Sequence, residues 1–128
     1  MSEENVELVK AIVRESQRDW KWALSRMAPD VRLDQSRFPD GGVYRGPDAF
    51  GDFYRRWFGT WDELTVRPER FIDDGDRVVA LMTLEARGKG SGTPVTMQVA
   101  SVWGLRDGKV VEVVGYPDQR EALEELGL

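Results

Sequence analysis

The sequence contains no cysteine and no histidine. Without cysteine there is no disulfide, no thiol nucleophile and no thiolate metal site. Without histidine the commonest general base and the commonest metal ligand are both missing. Acid–base work then falls to Asp, Glu, Tyr, Lys or a held water. A metal site would have to be built from carboxylates alone, and no Asp/Glu group has the spacing of a calcium loop. Runs of Lys or Arg are lacking, so no nucleic-acid partner is expected. No apolar stretch approaches the ~20 residues that span a bilayer, so no membrane partner is expected either. The opening Met1-Ser2-Glu3-Glu4-Asn5 is polar and acidic, unlike a secretory signal, and a cytoplasmic location is expected.

What is present suits one folded domain over residues 1–128. Hydrophobic residues make up 41% and charged residues 32%, a balance that argues against disorder. The net charge of −5 favours solubility and says little about partners. Five Trp, five Phe and three Tyr are generous for a core of this size and are equally suited to a cavity wall.

Val6, Val9, Val13, Trp20, Leu24 and Met27 recur at helical spacing, with Gln17 interrupting the stripe. They predict one long helix from about Glu3 to Met27, capped by Ser2 and stopped by Pro29. Val31 to Ser36 alternates and predicts a half-buried strand. Val31, Leu33 and Gln35 share one face, and Arg32, Asp34 and Ser36 the other. After the turn formers Pro39-Asp40-Gly41-Gly42, a second helix runs from about Pro47 to Phe58. Phe50, Phe53, Tyr54, Trp57 and Phe58 give it a broad aromatic face, and Gly59 ends it.

The second half reads as strands: Leu64 to Ile72, Arg77 to Gly88, Val95 to Leu105 and Val110 to Tyr116. Asp73-Asp74-Gly75-Asp76, Lys89-Gly90-Ser91-Gly92 and Arg106-Asp107-Gly108-Lys109 supply the turns of an antiparallel meander. A last helix begins near Asp118, with Asp118 and Glu121 at capping-box spacing and Gly127 as its stop. The fold class is α+β, with helices packed on one face of a mostly antiparallel sheet. A long twisted sheet curls around such helices and leaves either filled core or a cavity.

Five segments, in order, resemble one family: Glu4-Asn5-Val6-Glu7-Leu8-Val9-Lys10, Pro29-Asp30-Val31-Arg32-Leu33-Asp34, Tyr44-Arg45-Gly46-Pro47-Asp48, the stretch Val102 to Val110, and Asp118-Gln119-Arg120-Glu121-Ala122-Leu123. Together they look like the SnoaL-like polyketide cyclases of the nuclear transport factor 2-like superfamily. The resemblance implies a cone, in which a strongly curved sheet wraps a long N-terminal helix and a second, aromatic-rich helix around an internal pocket. It also implies a homodimer, with no cofactor and no metal. Relatives include ketosteroid isomerases, polyketide cyclases, limonene epoxide hydrolases and non-catalytic domains, so function has to come from the site.

The ketosteroid isomerase roles of base and two oxyanion donors fall at Gln35, Ala11 and Ser101, and only Ser101 retains a suitable group. The cyclase pattern late in the chain reads Glu112-Val113-Val114-Gly115 here and keeps only the Glu. Arg32, Asp34 and Asp118 supply the residue types of the epoxide hydrolase set.

Three functions compete. The first is a pocket for a small hydrophobic ligand of polyketide, steroid or terpenoid type, lined by Tyr44, Tyr54, Trp57, Ser101, Trp103 and Tyr116. The second is a cofactor-independent cyclase, isomerase or hydrolase with Asp34 or Asp118 as base and a Tyr or Ser as oxyanion donor. The third is a dimerisation domain, with Met82, Val78 and Gln98 as contacts depending on strand facing. Asp118 also serves as an ordinary helix cap, worth about 1 kcal/mol.

Overall fold

The apolar stripe that opens the chain is longer than the helix it forms. In the computed structural model, which describes residues 2–39 and 41–128, α1 spans Ser2–Glu15 and α2 restarts at Trp20–Ser25. The single helix expected to Met27 is therefore broken. Asp19 causes the restart: its Oδ1 accepts the Trp22 backbone N–H at 3.0 Å, capping a new helix. The expected cap at Ser2 concerns a side chain outside the described residues, as does the Asp40 position of the loop.

Strand β1 (Met27–Asp34) begins earlier than the alternation suggested, and Pro29 lies inside it instead of behind a helix. The pairing of β1 is irregular between Met27 and Arg32, where a residue without an N–H breaks no regular ladder. Next come β2 (Val43–Arg45), α3 (Pro47–Phe58), β3 (Trp61–Asp74), β4 (Arg77–Gly88), β5 (Pro94–Arg106), β6 (Lys109–Tyr116) and α4 (Gln119–Glu125). The β5–β6 turn is tight because Asp107 (φ 53°) and Gly108 (φ 75°) both adopt left-handed backbone.

The six strands form one curved, mostly antiparallel sheet in the order β2-β1-β6-β5-β4-β3, with β1–β6 the parallel pair. Register fixes what each face carries. Val78 pairs with Trp103, Ala80 with Ser101 and Met82 with Val99; Ser101 pairs onward with Gly115 and Trp103 with Val113. These positions face inward and, with Val9, Ile12, Leu33 and Phe50, hold the main core. The alternate residues Val79, Leu81, Ala100, Val102 and Tyr116 face outward and pack with Ala122 and Leu126 of the α4 segment. Helices thus lie on both faces, a correction to the expectation of one. Because the strand period is two, Val78 (0% exposed) and Met82 point into the cone and are unavailable as dimer contacts, whereas Gln98, paired with Thr83, points out.

Candidate ligand cavity

The aromatic face of α3 does not fill the cone. Residues 50, 53, 54, 57 and 58 share one helical face, and their rings gather with Trp20 of α2. The Trp20 and Tyr54 centroids are 5.4 Å apart, and those of Phe50 and Tyr54 are 5.1 Å apart. Between this cluster and the inner sheet face lies a cavity of about 430 Å3. Trp103, Val99 and Met82 wall it from the sheet, and Phe38, Pro39 and Gly41 from the loop after β1. Among the described residues no Asp, Glu, Lys or Arg lines it.

The polar groups of the wall are few and neutral. Trp103 donates its indole N–H to Ser101 Oγ at 2.7 Å, both residues being buried. Gln35 is 6% exposed, and its carboxamide has no hydrogen-bond partner among the described residues. It lies flat on Gly115: a Cβ built there would stand 2.5 Å from Oε1 and 2.8 Å from Nε2. The glycine therefore leaves the room the amide uses. Tyr54 carries the one ionisable group among the described wall residues, and burial pushes its phenol up to about 12, so it stays protonated at neutral pH. Ser16 donates to the Val13 carbonyl at 2.9 Å and Thr60 to that of Arg56 at 3.0 Å, so both hydroxyl protons are spent locally.

A SnoaL-like domain model matches residues 9–113. The chain belongs to the SnoaL-like family. Its structure resembles that of TerC co-crystallised with polyporic acid, at 27% identity and a TM-score of 0.77, over 98% of this chain and 99% of that one. An NTF2-like protein of unknown function from Burkholderia pseudomallei is 26% identical, with a TM-score of 0.78 over 98% of each chain. A SnoaL-like polyketide cyclase-type protein from Jannaschia sp. CCS1 shares the fold (24% identity, TM-score 0.79, 96% of this chain and 90% of that one). Comparison with the curated proteins gives no match. A SnoaL-like fold of this kind serves ligand-binding and polyketide cyclase-type domains.

Within this SnoaL-like cone, four of the eight site residues singled out from sequence line the cavity: Tyr54, Trp57, Ser101 and Trp103. The other four lie elsewhere. Tyr44 sits on the short strand β2, its ring 5.0 Å from Phe53 and under Arg56, beside a separate shallow groove. Tyr116 faces outward, with the Arg37 guanidinium 4.5 Å from its ring centre. Burial and the neighbouring Glu125 push its phenol up to about 12.

Asp34 also points outward. It accepts from the Ser36 hydroxyl at 2.6 Å and the Ser36 N–H at 3.0 Å, with Arg32 at 3.5 Å and Arg37 at 3.8 Å. The Ser36 hydroxyl bond, chief among these, holds its carboxyl below the usual range. Asp118 caps α4, accepting the Arg120 N–H at 2.8 Å. Of the epoxide hydrolase-like set, Arg32 and Asp34 pair with each other, but on the far side of the sheet from the cavity. Sequence reasoning set Gln35 aside because an amide is no base. Its inward facing was nevertheless written in the alternation with Val31 and Leu33. No cluster of three or more carboxylates capable of holding a metal occurs among the described residues, and no helix there is long and apolar enough to cross a membrane.

Proposed function

We propose that this chain binds a small, uncharged, largely aromatic organic molecule inside the cone, chiefly by shape, and performs no proton abstraction on it. One observation carries the reading: a cavity of about 430 Å3 walled by aromatic and aliphatic side chains, with no charged group among the described lining residues. Such a wall gains by taking apolar surface out of water. Burying about 200 Å2 at ~25 cal/mol/Å2 gives about 5 kcal/mol before association costs. A charged ligand would enter without a counter-ion and lose its hydration.

A general base must reach the proton it removes. The inward position just after β1 carries the amide of Gln35, and the nearby carboxylate of Asp34 sits behind the sheet with a lowered pKa. Among the described wall residues the remaining ionisable group is Tyr54, whose phenol stays protonated at neutral pH and is no base there. The polyporic acid in the TerC crystal supports a small organic occupant. A homodimer would bury the outer face, where Gln98 remains the contact candidate, and sedimentation at micromolar concentration tests it.

Trp20, Trp57 and Trp103 line the wall and report on occupancy. Titration with methyl naphthyl ketone is expected to quench their fluorescence saturably, at micromolar concentrations. A strictly linear, unsaturable response would refute ligand binding.

A further inference from the structure

Building on the ligand-binding reading above, we propose that Gln35 and Ser101 together form a two-donor site for one neutral carbonyl oxygen. The cavity then favours ketones, enones or quinones over a carboxylate of the same skeleton.

The first observation is an unspent amide. Gln35 is 94% removed from solvent (6% exposed), lines the cavity, and makes no side-chain hydrogen bond among the described residues. The amide borders the cavity, so a ligand group there can pair with it. The second is an unspent proton. Ser101 Oγ accepts the Trp103 indole N–H at 2.7 Å, which occupies one of its lone pairs and fixes the hydroxyl. The Ser101 O–H makes no hydrogen bond of its own among the described residues, so its proton is free to be donated into the cavity.

The third observation is that the two groups are side by side. Ser101 and Gly115 are direct cross-strand partners, and side chains at such positions start about 5 Å apart. The Gln35 amide occupies the place where a Gly115 side chain would begin, 2.5–2.9 Å from that ideal Cβ. Amide and hydroxyl therefore lie at neighbouring positions on the cavity wall, with no hydrogen bond between them among the described residues. A single carbonyl oxygen there accepts from Ser101 Oγ–H and Gln35 Nε2–H at ordinary lengths. The amide, lacking partners, can present its NH2 in either flip. Two neutral donors and no cation among the described lining residues suit a carbonyl oxygen. A carboxylate would find the same donors without the charge to offset its desolvation.

The test uses three naphthalenes of one shape: methyl naphthyl ketone, its isopropenyl hydrocarbon analogue and naphthoate. In the wild-type protein the ketone is expected to bind at least about 10-fold more tightly than naphthoate. Its bound carbonyl stretch should lie below the value in apolar solvent. Gln35→Met and Ser101→Ala should each weaken the ketone about 5- to 10-fold and raise the stretch frequency, while the hydrocarbon changes by less than about twofold. Ser101→Thr keeps a hydroxyl and should retain the ketone affinity. Parallel losses for ketone and hydrocarbon, or a bound stretch unshifted from apolar solvent, overturn the donor pair and leave the cavity reading standing. No binding of any naphthalene removes the cavity reading itself and the donor pair with it. The wild-type spectrum decides the matter even if Ser101→Ala, which orphans the Trp103 N–H, fails to fold.

Discussion

Gly115→Ala separates what this glycine does for the fold from what it does for the cavity. Gly115 is not among the residues with positive φ, so alanine accepts its backbone without strain. The new Cβ would stand 2.5, 2.8 and 2.9 Å from Oε1, Nε2 and Cδ of Gln35, too close for all three. Those atoms are the far end of a flexible side chain beside an open cavity, so the amide swings away. Holding it off its preferred rotamer costs about 1 kcal/mol. Reduced freedom of the unfolded chain returns about 0.4–1 kcal/mol. Stability in urea is therefore expected to stay within about 1 kcal/mol of wild type, while methyl naphthyl ketone binds about 5- to 10-fold more weakly because Gln35 has left its place.

Gly41→Ala is the counterpart. There a Cβ would collide with the backbone carbonyl of Gln35 and approach that of Phe38 to 3.0 Å. Backbone cannot swing aside, and the turn held by Gln35 N–H to the Gly42 carbonyl at 2.8 Å must open. A loss of roughly 2–4 kcal/mol is expected, from overpacking plus one buried backbone bond. Equal urea midpoints for the two variants, or a Gly115→Ala protein with undiminished ketone affinity, would refute the reasoning that the amide's position depends on the missing side chain.

Phe50→Ala should cost about 3–5 kcal/mol in chemical denaturation, since Phe50 is 1% exposed between the core and the cavity. A loss under about 1 kcal/mol would show that the ring is not packed as described. Asp34 has a folded pKa below its unfolded value, so its contribution is full above the unfolded value and is lost as pH falls through the lowered folded one. Asp34→Asn should flatten the acid limb of stability against pH without changing ketone affinity, and a change in affinity would bring Asp34 into the site. Tyr54 and Tyr116 ionise only near 12 in the folded protein, so stability should fall as pH rises past the ordinary phenol value near 10. Tyrosinate absorbance from both phenols at their ordinary pKa, before unfolding, would contradict their burial.

The strand meander and α3 were legible because their signals are local. Asp107-Gly108 and Asp73-Asp74-Gly75 set their turns through backbone preferences that depend on nothing distant. Pro47 and Gly59 likewise bracket α3 on its own residues. The break between α1 and α2 was less visible, because Trp20, Leu24 and Met27 continue the apolar stripe while Asp19 quietly restarts the helix. The site was half legible for the same reason. Alternation along β5 put Ser101 and Trp103 on one face, and the spacing in α3 put Tyr54 and Trp57 on another. The alternation along β1 already sets Asp34 opposite Leu33 and Gln35. That α4 folds behind the sheet and packs against Tyr116 on the outer face is a long-range choice that no short window of sequence encodes. The role of Gln35 needed its contact with Gly115, eighty residues away in the chain.

Charge supplies the last step. The chain is 32% charged, yet those groups are directed away from the cavity wall among the described residues. Period two on β1 sends Arg32 and Asp34 out to meet Arg37 and Glu112, and the same period turns Gln35 in. An aspartate at 35 would be a carboxylate in an apolar wall, neutralised or costly to hold. The amide has the same shape, no charge to desolvate and no basicity to offer. A wall that has neutral Gln, Ser and Tyr at its polar points gives up proton transfer and keeps hydrogen-bond donation. That exchange favours recognition of a polar oxygen on an otherwise apolar guest over abstraction of a proton from it.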